Sequence, residues 1–101
     1  MKMQHNYFEV ARTVDLAAVT SFYESVGYNR GVHSDDRIMV VRADRRIIGA
    51  VRLCEDAGTL VLRGMYIAEN LRGKGIGVRL LEYTSGEIGP AECWCVPYVQ
   101  L

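Results

Sequence analysis

The chain carries no excess of either charge, since twelve basic and twelve acidic side chains cancel over 101 residues. Neither sign collects into a long block, so there is no whole-molecule field to draw in nucleic acid or an anionic membrane, and any anion binding has to be local. Long apolar runs are missing too. The opening Met1-Lys2-Met3-Gln4-His5-Asn6 has nothing like the apolar core of a secretion signal, and no later stretch approaches the roughly 20 residues of a membrane span. A soluble, cytoplasmic protein with no membrane or nucleic-acid partner is expected. Cysteines are few and odd in number: Cys54, Cys93 and Cys95. Cys93 and Cys95 stand too close on an extended strand to bridge comfortably, which argues for reduced thiols in a reducing compartment. Cys93 and Cys95 with His5 or His33 come nearest to a zinc site, but no second ligand pair has the spacing, so no metal is expected and ordinary buried cysteines are the simpler reading. Repeats and low-complexity segments are also lacking. The length leaves room for one domain, residues 1–101, and the 50% hydrophobic content suffices for a single core.

What is present alternates between two periods. Tyr7 to Thr13 alternates apolar and polar residues as a half-buried strand does. Asp15 or Thr13 can cap a helix from about Leu16 to Val26, in which Leu16, Val19, Phe22 or Tyr23, and Val26 recur at helical spacing before Gly27 ends it. Tyr28 to Asp36 is polar and aperiodic, a surface loop that could border a ligand site. Two β-rich runs, Arg37–Arg42 and Arg46–Cys54, flank Ala43-Asp44-Arg45, and a third, Thr59–Ile67, follows Glu55-Asp56-Ala57-Gly58, so the middle of the chain reads as an antiparallel meander. From Gly75 the period becomes helical: Ile76, Leu80 and Tyr83 share a face, with Gly77, Leu81, Thr84 and Ile88 beside them, until Gly89-Pro90 stops the helix. Ala91–Val96 reads as a last buried strand. The β-α-β unit around the second helix should set Thr59–Ile67 and Ala91–Val96 parallel. The fold class is α/β, a single mixed sheet with helices.

The segment between that strand and the second helix is where chemistry is expected. In Arg72-Gly73-Lys74-Gly75-Ile76-Gly77 three glycines alternate with other residues as a helix begins. The first N–H groups of a helix have no internal acceptor, and the helix dipole adds partial positive charge, so a pyrophosphate placed there meets several donors at once. Arg72 and Lys74 add full charges. The P-loop pattern fails because Lys74 is followed by Gly75 rather than Ser or Thr, and in the dinucleotide fingerprint the third glycine would fall one residue later. A flexible turn on a structural α/β domain is the bland alternative.

Arg-x-x-Gly-x-Gly after a strand resembles the central motif of the GNAT superfamily of acyl-CoA-dependent N-acyltransferases, and the likeness runs through Gly64-Met65-Tyr66-Ile67-Ala68-Glu69-Asn70-Leu71-Arg72-Gly73-Lys74-Gly75-Ile76-Gly77-Val78-Arg79-Leu80-Leu81. It extends more loosely over residues 7 to 96, where the element order is similar; the family's short second helix would fall in the loop Tyr28–Asp36. The resemblance implies that main-chain groups of Arg72, Gly73, Lys74, Gly75 and Gly77 hold the pyrophosphate of acetyl-CoA, the expected cosubstrate. It also implies that Met65 and Ile67 bond the pantetheine arm, in a gap between Met65–Ile67 and Cys93–Cys95.

The reaction implied is N-acetylation: an amine attacks the thioester directly in a ternary complex, a backbone N–H near Met65 or Ile67 steadies the oxyanion, and coenzyme A leaves as thiolate. In the family the base is often a carboxylate on the motif strand or ordered water; here that strand holds Arg63 and no acid, and Glu9, Glu55, Asp56 and Glu69 are the possible carboxylates, each more simply read as an ordinary surface group. Tyr98 is the candidate acid. Tyr66 reads as packing, and Cys93 and Cys95 as buried filler rather than nucleophiles. The family's further helix and β-hairpin have no counterpart before Leu101, so a fold lacking them is expected, with a second copy covering the exposed strand in a homodimer. The competing reading is an inactive acyl-CoA-binding or dimerisation module built on the same fold.

Overall fold

A computed structural model describes residues 6–12, 15–29, 32 and 36–89, together with the backbone of 93–95. In chain order it contains strand β1 (Asn6–Val10), helix α1 (Leu16–Ser25), strands β2 (Arg37–Ala43), β3 (Arg46–Asp56) and β4 (Thr59–Ile67), a 3₁₀ turn (Glu69–Leu71), helix α2 (Ile76–Ile88) and strand β5 (Cys93–Cys95). The strands form one sheet in the order β1-β2-β3-β4-β5. All neighbours are antiparallel except β4 and β5, which run parallel as the crossover through α2 requires. The expected α/β mixed sheet is the fold observed.

The side-chain periods explain how the layers close. Odd-numbered residues of β2, Met39, Val41 and Ala43, join Ile48, Val51, Leu53, Leu62, Met65 and Ile67 under Ile76 and Leu80 of α2. The opposite face presents Ile38, Val40 and Ala50 to Val19, Phe22 and Tyr23 of α1. A residue such as Leu80, with no exposed surface, contributes about 1.5–3 kcal/mol through burial. Gly27, at φ +80°, ends α1 as expected.

Two expectations need correction. The first strand stops at Val10 instead of Thr13, because Arg12 and Asp15 close a turn: Asp15 N–H donates to the Arg12 carbonyl at 2.9 Å. Asp15 does not cap α1 with its side chain. Its carboxylate turns back to accept the Arg12 N–H at 2.8 Å and reaches Arg42 of β2 at 3.2 Å, which ties the start of α1 to the sheet. Thr13, the other cap candidate, lies outside the described residues.

β4 carries a local irregularity within its expected bounds. Ala50 pairs with Tyr66 and Arg52 with Arg63, so Val51 alone faces both Gly64 and Met65. This is a β-bulge opened by a glycine in the left-handed region, Gly64 at φ +61°. The strand runs over Thr59–Ile67 as expected, and the bulge kinks it at Gly64.

Candidate functional site

The glycine turn has the geometry that its spacing suggests. Gly73 at φ +79° and Gly75 at φ +81° both adopt left-handed backbone, and Gly75 is the residue from which α2 starts. An added Cβ at either position would meet nothing within 4 Å, so the space in front of them is open and only the backbone conformation demands glycine. Arg72 N–H reaches the Glu69 carbonyl at 3.4 Å, and Arg79 N–H bonds the Gly75 carbonyl at 3.2 Å. Among the described residues no backbone acceptor takes the N–H groups between them, from Gly73 to Val78. Such a run of donors at the head of a thirteen-residue helix has the chemistry to meet a bulky anion. Electrostatics agree: the first turn of α2 holds no acidic residue, Lys74 is exposed, and the Arg79 guanidinium sits 5.3 Å from the centre of the Phe8 ring nearby.

Arg72 is more occupied than its sequence position suggests. Its Nε donates to the Ile67 carbonyl at 3.0 Å, bracing the turn against the end of β4. Part of the guanidinium is thereby committed within the protein, and the Ile67 carbonyl keeps one lone pair for another donor.

The second half of the site is the edge of β4. Ala68 N–H donates to the Ile48 carbonyl at 2.7 Å, so by the alternation of an antiparallel ladder the backbone of Ile67, and of Met65 two residues earlier, faces away from β3. That is the β5 side, yet β5 pairs only with Leu60, Val61 and Leu62. The gap therefore opens from Arg63 onward, and Cys93–Cys95 lie beside Leu60–Leu62 instead of across from Met65–Ile67. The side chains of Met65 and Ile67 are buried under α2, which leaves their main chain to make contacts at this edge.

The catalytic candidates are scattered. Glu9 lies on β1, three strands from β4 or about 14 Å at ordinary strand spacing, and pairs with Arg42 at 3.1 Å. Glu55 and Asp56 sit at the far end of the β3–β4 hairpin, Asp56 paired with Arg63 at 3.5 Å. Glu69 opens the 3₁₀ turn beyond the strand. None of the four stands on the Met65–Ile67 edge. Tyr66 packs against Tyr23 and Tyr28 on the α1 face, as a core aromatic. Tyr98 lies outside the described residues, as do the side chains of Cys93 and Cys95 and both histidines. Among the described residues no group of three or more His, Cys, Asp or Glu could hold a metal ion, and no helix is long and apolar enough to cross a membrane.

A cluster that sequence reading missed surrounds the bulge. The Tyr23 hydroxyl donates to the Gly64 carbonyl at 2.8 Å, inside the core. Burial pushes the Tyr23 phenol far above its ordinary range, and nearby Tyr28 adds to this, so Tyr23 keeps its proton and stays a donor. Tyr28, expected on a surface loop, rests its ring 4.7 Å from that of Tyr23 and 5.3 Å from that of Tyr66. Its hydroxyl accepts from Arg52 Nη1 at 2.6 Å, and Arg52 Nε donates to Asp36 at 2.8 Å. Burial works against the charge on Arg52, but its bonds to Asp36 and Tyr28 more than offset it and hold the guanidinium protonated. The one signal available was glycine inside a strand pattern, which marks a bulge or a close approach.

Comparison with known proteins fits this geometry. Among solved structures, the ribosomal-protein-S18-alanine N-acetyltransferase from Escherichia coli superposes with a TM-score of 0.73 at 15% identity, over 90% of this chain and 66% of that one. A GNAT family acetyltransferase from Staphylococcus aureus gives 0.67 at 18% identity, over 95% and 87%. An aminoglycoside N-acetyltransferase solved with CoA gives 0.71 at 12% identity, over 96% and 80%. At such identities the likeness establishes the fold, and the chain spans about two thirds of the length of the Escherichia coli enzyme. Curated protein sequences return no match. The family model described as an acetyltransferase (GNAT) domain matches residues 34–100, well over half of the sequence, and with the free-donor turn and the kinked β4 in place the chain belongs to that family.

Proposed function

We propose that this chain binds acetyl-CoA across the head of α2 and the open edge of β4, and transfers the acetyl group to an amine. The observation that carries the reading is the unbroken run of backbone N–H groups from Gly73 to Val78 with no backbone acceptor among the described residues, beside a strand edge with two outward-facing residues. In this arrangement Gly73, Lys74, Gly75 and Gly77 bond the pyrophosphate through the main chain, and Lys74 adds charge. Arg72 contributes chiefly by bracing the turn. Met65 and Ile67 hold the arm as a neighbouring strand would, and the Met65 N–H supports the developing oxyanion.

An amine acceptor agrees with the solved neighbours, which include a ribosomal-protein-S18-alanine N-acetyltransferase and aminoglycoside acetyltransferases. A reducing cytoplasmic setting suits the half-buried Cys54 thiol, which burial pushes up and so keeps protonated. A homodimer belongs to the same reading because β5 forms a three-residue edge of the sheet; a monomer in light scattering after size exclusion would remove it. One observation favours a second reading, a binding module without turnover: no described carboxylate stands at the β4 edge to act as base.

Thermal unfolding with acetyl-CoA tests the shared part. At a hundredfold excess over Kd, binding adds about 2.7 kcal/mol, or about 10–20 °C for a domain of this size. An unchanged Tm at millimolar acetyl-CoA would refute both readings. Transfer to a panel of primary amines then separates the enzyme from the module.

A further inference from the structure

The bulge of β4 is held from outside the strand by residues that neither the fold nor the anion-binding turn requires. A Cβ built on Gly64 would lie 2.7, 2.9 and 2.9 Å from Tyr28 Cζ, Cε2 and the hydroxyl oxygen, so the Tyr28 ring is pressed directly against the kink. Tyr28 is tied at three points: its N–H donates to the Tyr23 carbonyl at 2.9 Å, its ring packs on Tyr66 of β4, and its hydroxyl accepts from Arg52 of β3. Arg52 is only 5% exposed and is anchored in turn by Asp36. A buried ion pair is a poor way to gain stability, since apolar side chains of similar size are often equal or better. What such a pair can supply is one fixed conformation.

The conformation at stake is that of Met65. A strand shifted by one residue turns its backbone groups to the other side, so the single extra residue at Gly64 decides which of the residues up to Ile67 face the open edge. Resting on the acyl-CoA reading above, we infer that Tyr28, fixed by Arg52 and Asp36, is a positioning residue that sets the bulge and thereby aims the Met65 main chain at the acyl thioester. Tyr28 acts through the backbone of β4. The phosphate-binding turn, which follows Ile67, is independent of it.

The test uses the whole chain, the variants Tyr28→Phe and Arg52→Lys, and two probes: acetyl-CoA, and 3′-phospho-ADP, which carries the phosphates without the thioester arm. Tyr28→Phe keeps the ring and loses the bond to Arg52; Arg52→Lys keeps the charge beside Asp36 and loses the guanidinium fork. In either variant, amide hydrogen exchange at Gly64 and at Tyr66, which pairs with Ala50 just past the bulge, is expected to speed up at least tenfold while Val40 and Val51 stay unchanged. Acetyl-CoA affinity should fall at least fivefold with 3′-phospho-ADP affinity intact. Equal acceleration at all four amides, or parallel weakening of both probes, would show general destabilisation and overturn the proposal, as would no change in either measurement. If wild-type protein binds neither probe, the acyl-CoA reading fails and takes the positioning role with it. If wild-type protein binds both and the variants do not separate them, the positioning role alone fails.

Discussion

Gly49 offers a direct check on how the core meets the site. It lies on β3 opposite Ile67, and a Cβ there would come within 2.6 Å of both Ile67 Cδ1 and Val41 Cγ1 and 3.3 Å from the Tyr66 carbonyl oxygen. Its φ is not left-handed, so Gly49→Ala introduces no backbone strain and the whole effect is steric. Val41 and Ile67 each have 0% exposure, so neither can swing out into solvent, and Val41 is stiff about its first torsion. Overpacking of this kind costs about 1–3 kcal/mol, against which alanine recovers about 0.5–1 kcal/mol by restricting the unfolded chain. The net loss of about 1–2 kcal/mol should lower Tm by about 5–15 °C. The control is Gly86→Ala in α2, where the Cβ meets nothing within 4 Å and the backbone is helical, so helix propensity should raise stability by about 0.5–1 kcal/mol. Both variants are read by urea unfolding with the slope compared to wild type. A Gly49→Ala protein as stable as wild type, or a Gly86→Ala protein less stable, would refute the packing argument.

The remaining predictions concern charge. Lys74→Ala should weaken acetyl-CoA binding about three- to tenfold at low salt and less at about 0.5 M salt, with the Tm of the free protein unchanged; titration calorimetry at two ionic strengths decides it. Asp15 is held below its ordinary value chiefly by the Arg12 N–H that its carboxylate accepts; burial pulls the other way, and the Arg42 and Arg12 charges add smaller lowering effects. A lowered folded value stabilises above the unfolded pKa near 3.8 and is lost as pH falls through the folded one. Asp15→Asn should therefore melt up to about 5 °C below wild type at about pH 6, with the gap closing as pH falls below 3.8.

How far the sequence could be read depended on which force decided each element. β4 begins and ends where expected, because the left-handed Ala57 and Gly58 close its hairpin and the chain leaves the sheet into the 3₁₀ turn Glu69–Leu71 just past Ile67. The helices follow their apolar spacing and the glycines beyond them, Gly27 and Gly89. Tyr28 was misplaced because its loop is polar on average, and nothing local reveals that an aromatic ring there will fold back on a glycine thirty-six residues later. Arg52 was invisible for a related reason: in β3 it occupies a position of the meander that alternation leaves open to either face, and its partners Asp36 and Tyr28 meet it only in three dimensions. Arg72 shows the converse. Its type and position were legible, yet its bond to Ile67 depends on how the turn folds back on the strand.

The strand order also bears on how the molecule assembles. β2, β3 and β4 are joined by two-residue turns and lie side by side in chain order, so this hairpin ladder closes only short loops and can form early. β5 can dock on β4 only after the 3₁₀ turn, the glycine turn and all of α2 have been laid across the sheet. The crevice between those two strands then depends on the longest connection in the sheet, so the region proposed to hold a ligand is expected at a less cooperative margin of the fold. A ligand bridging the head of α2 and the edge of β4 would act as the final fastener of that margin.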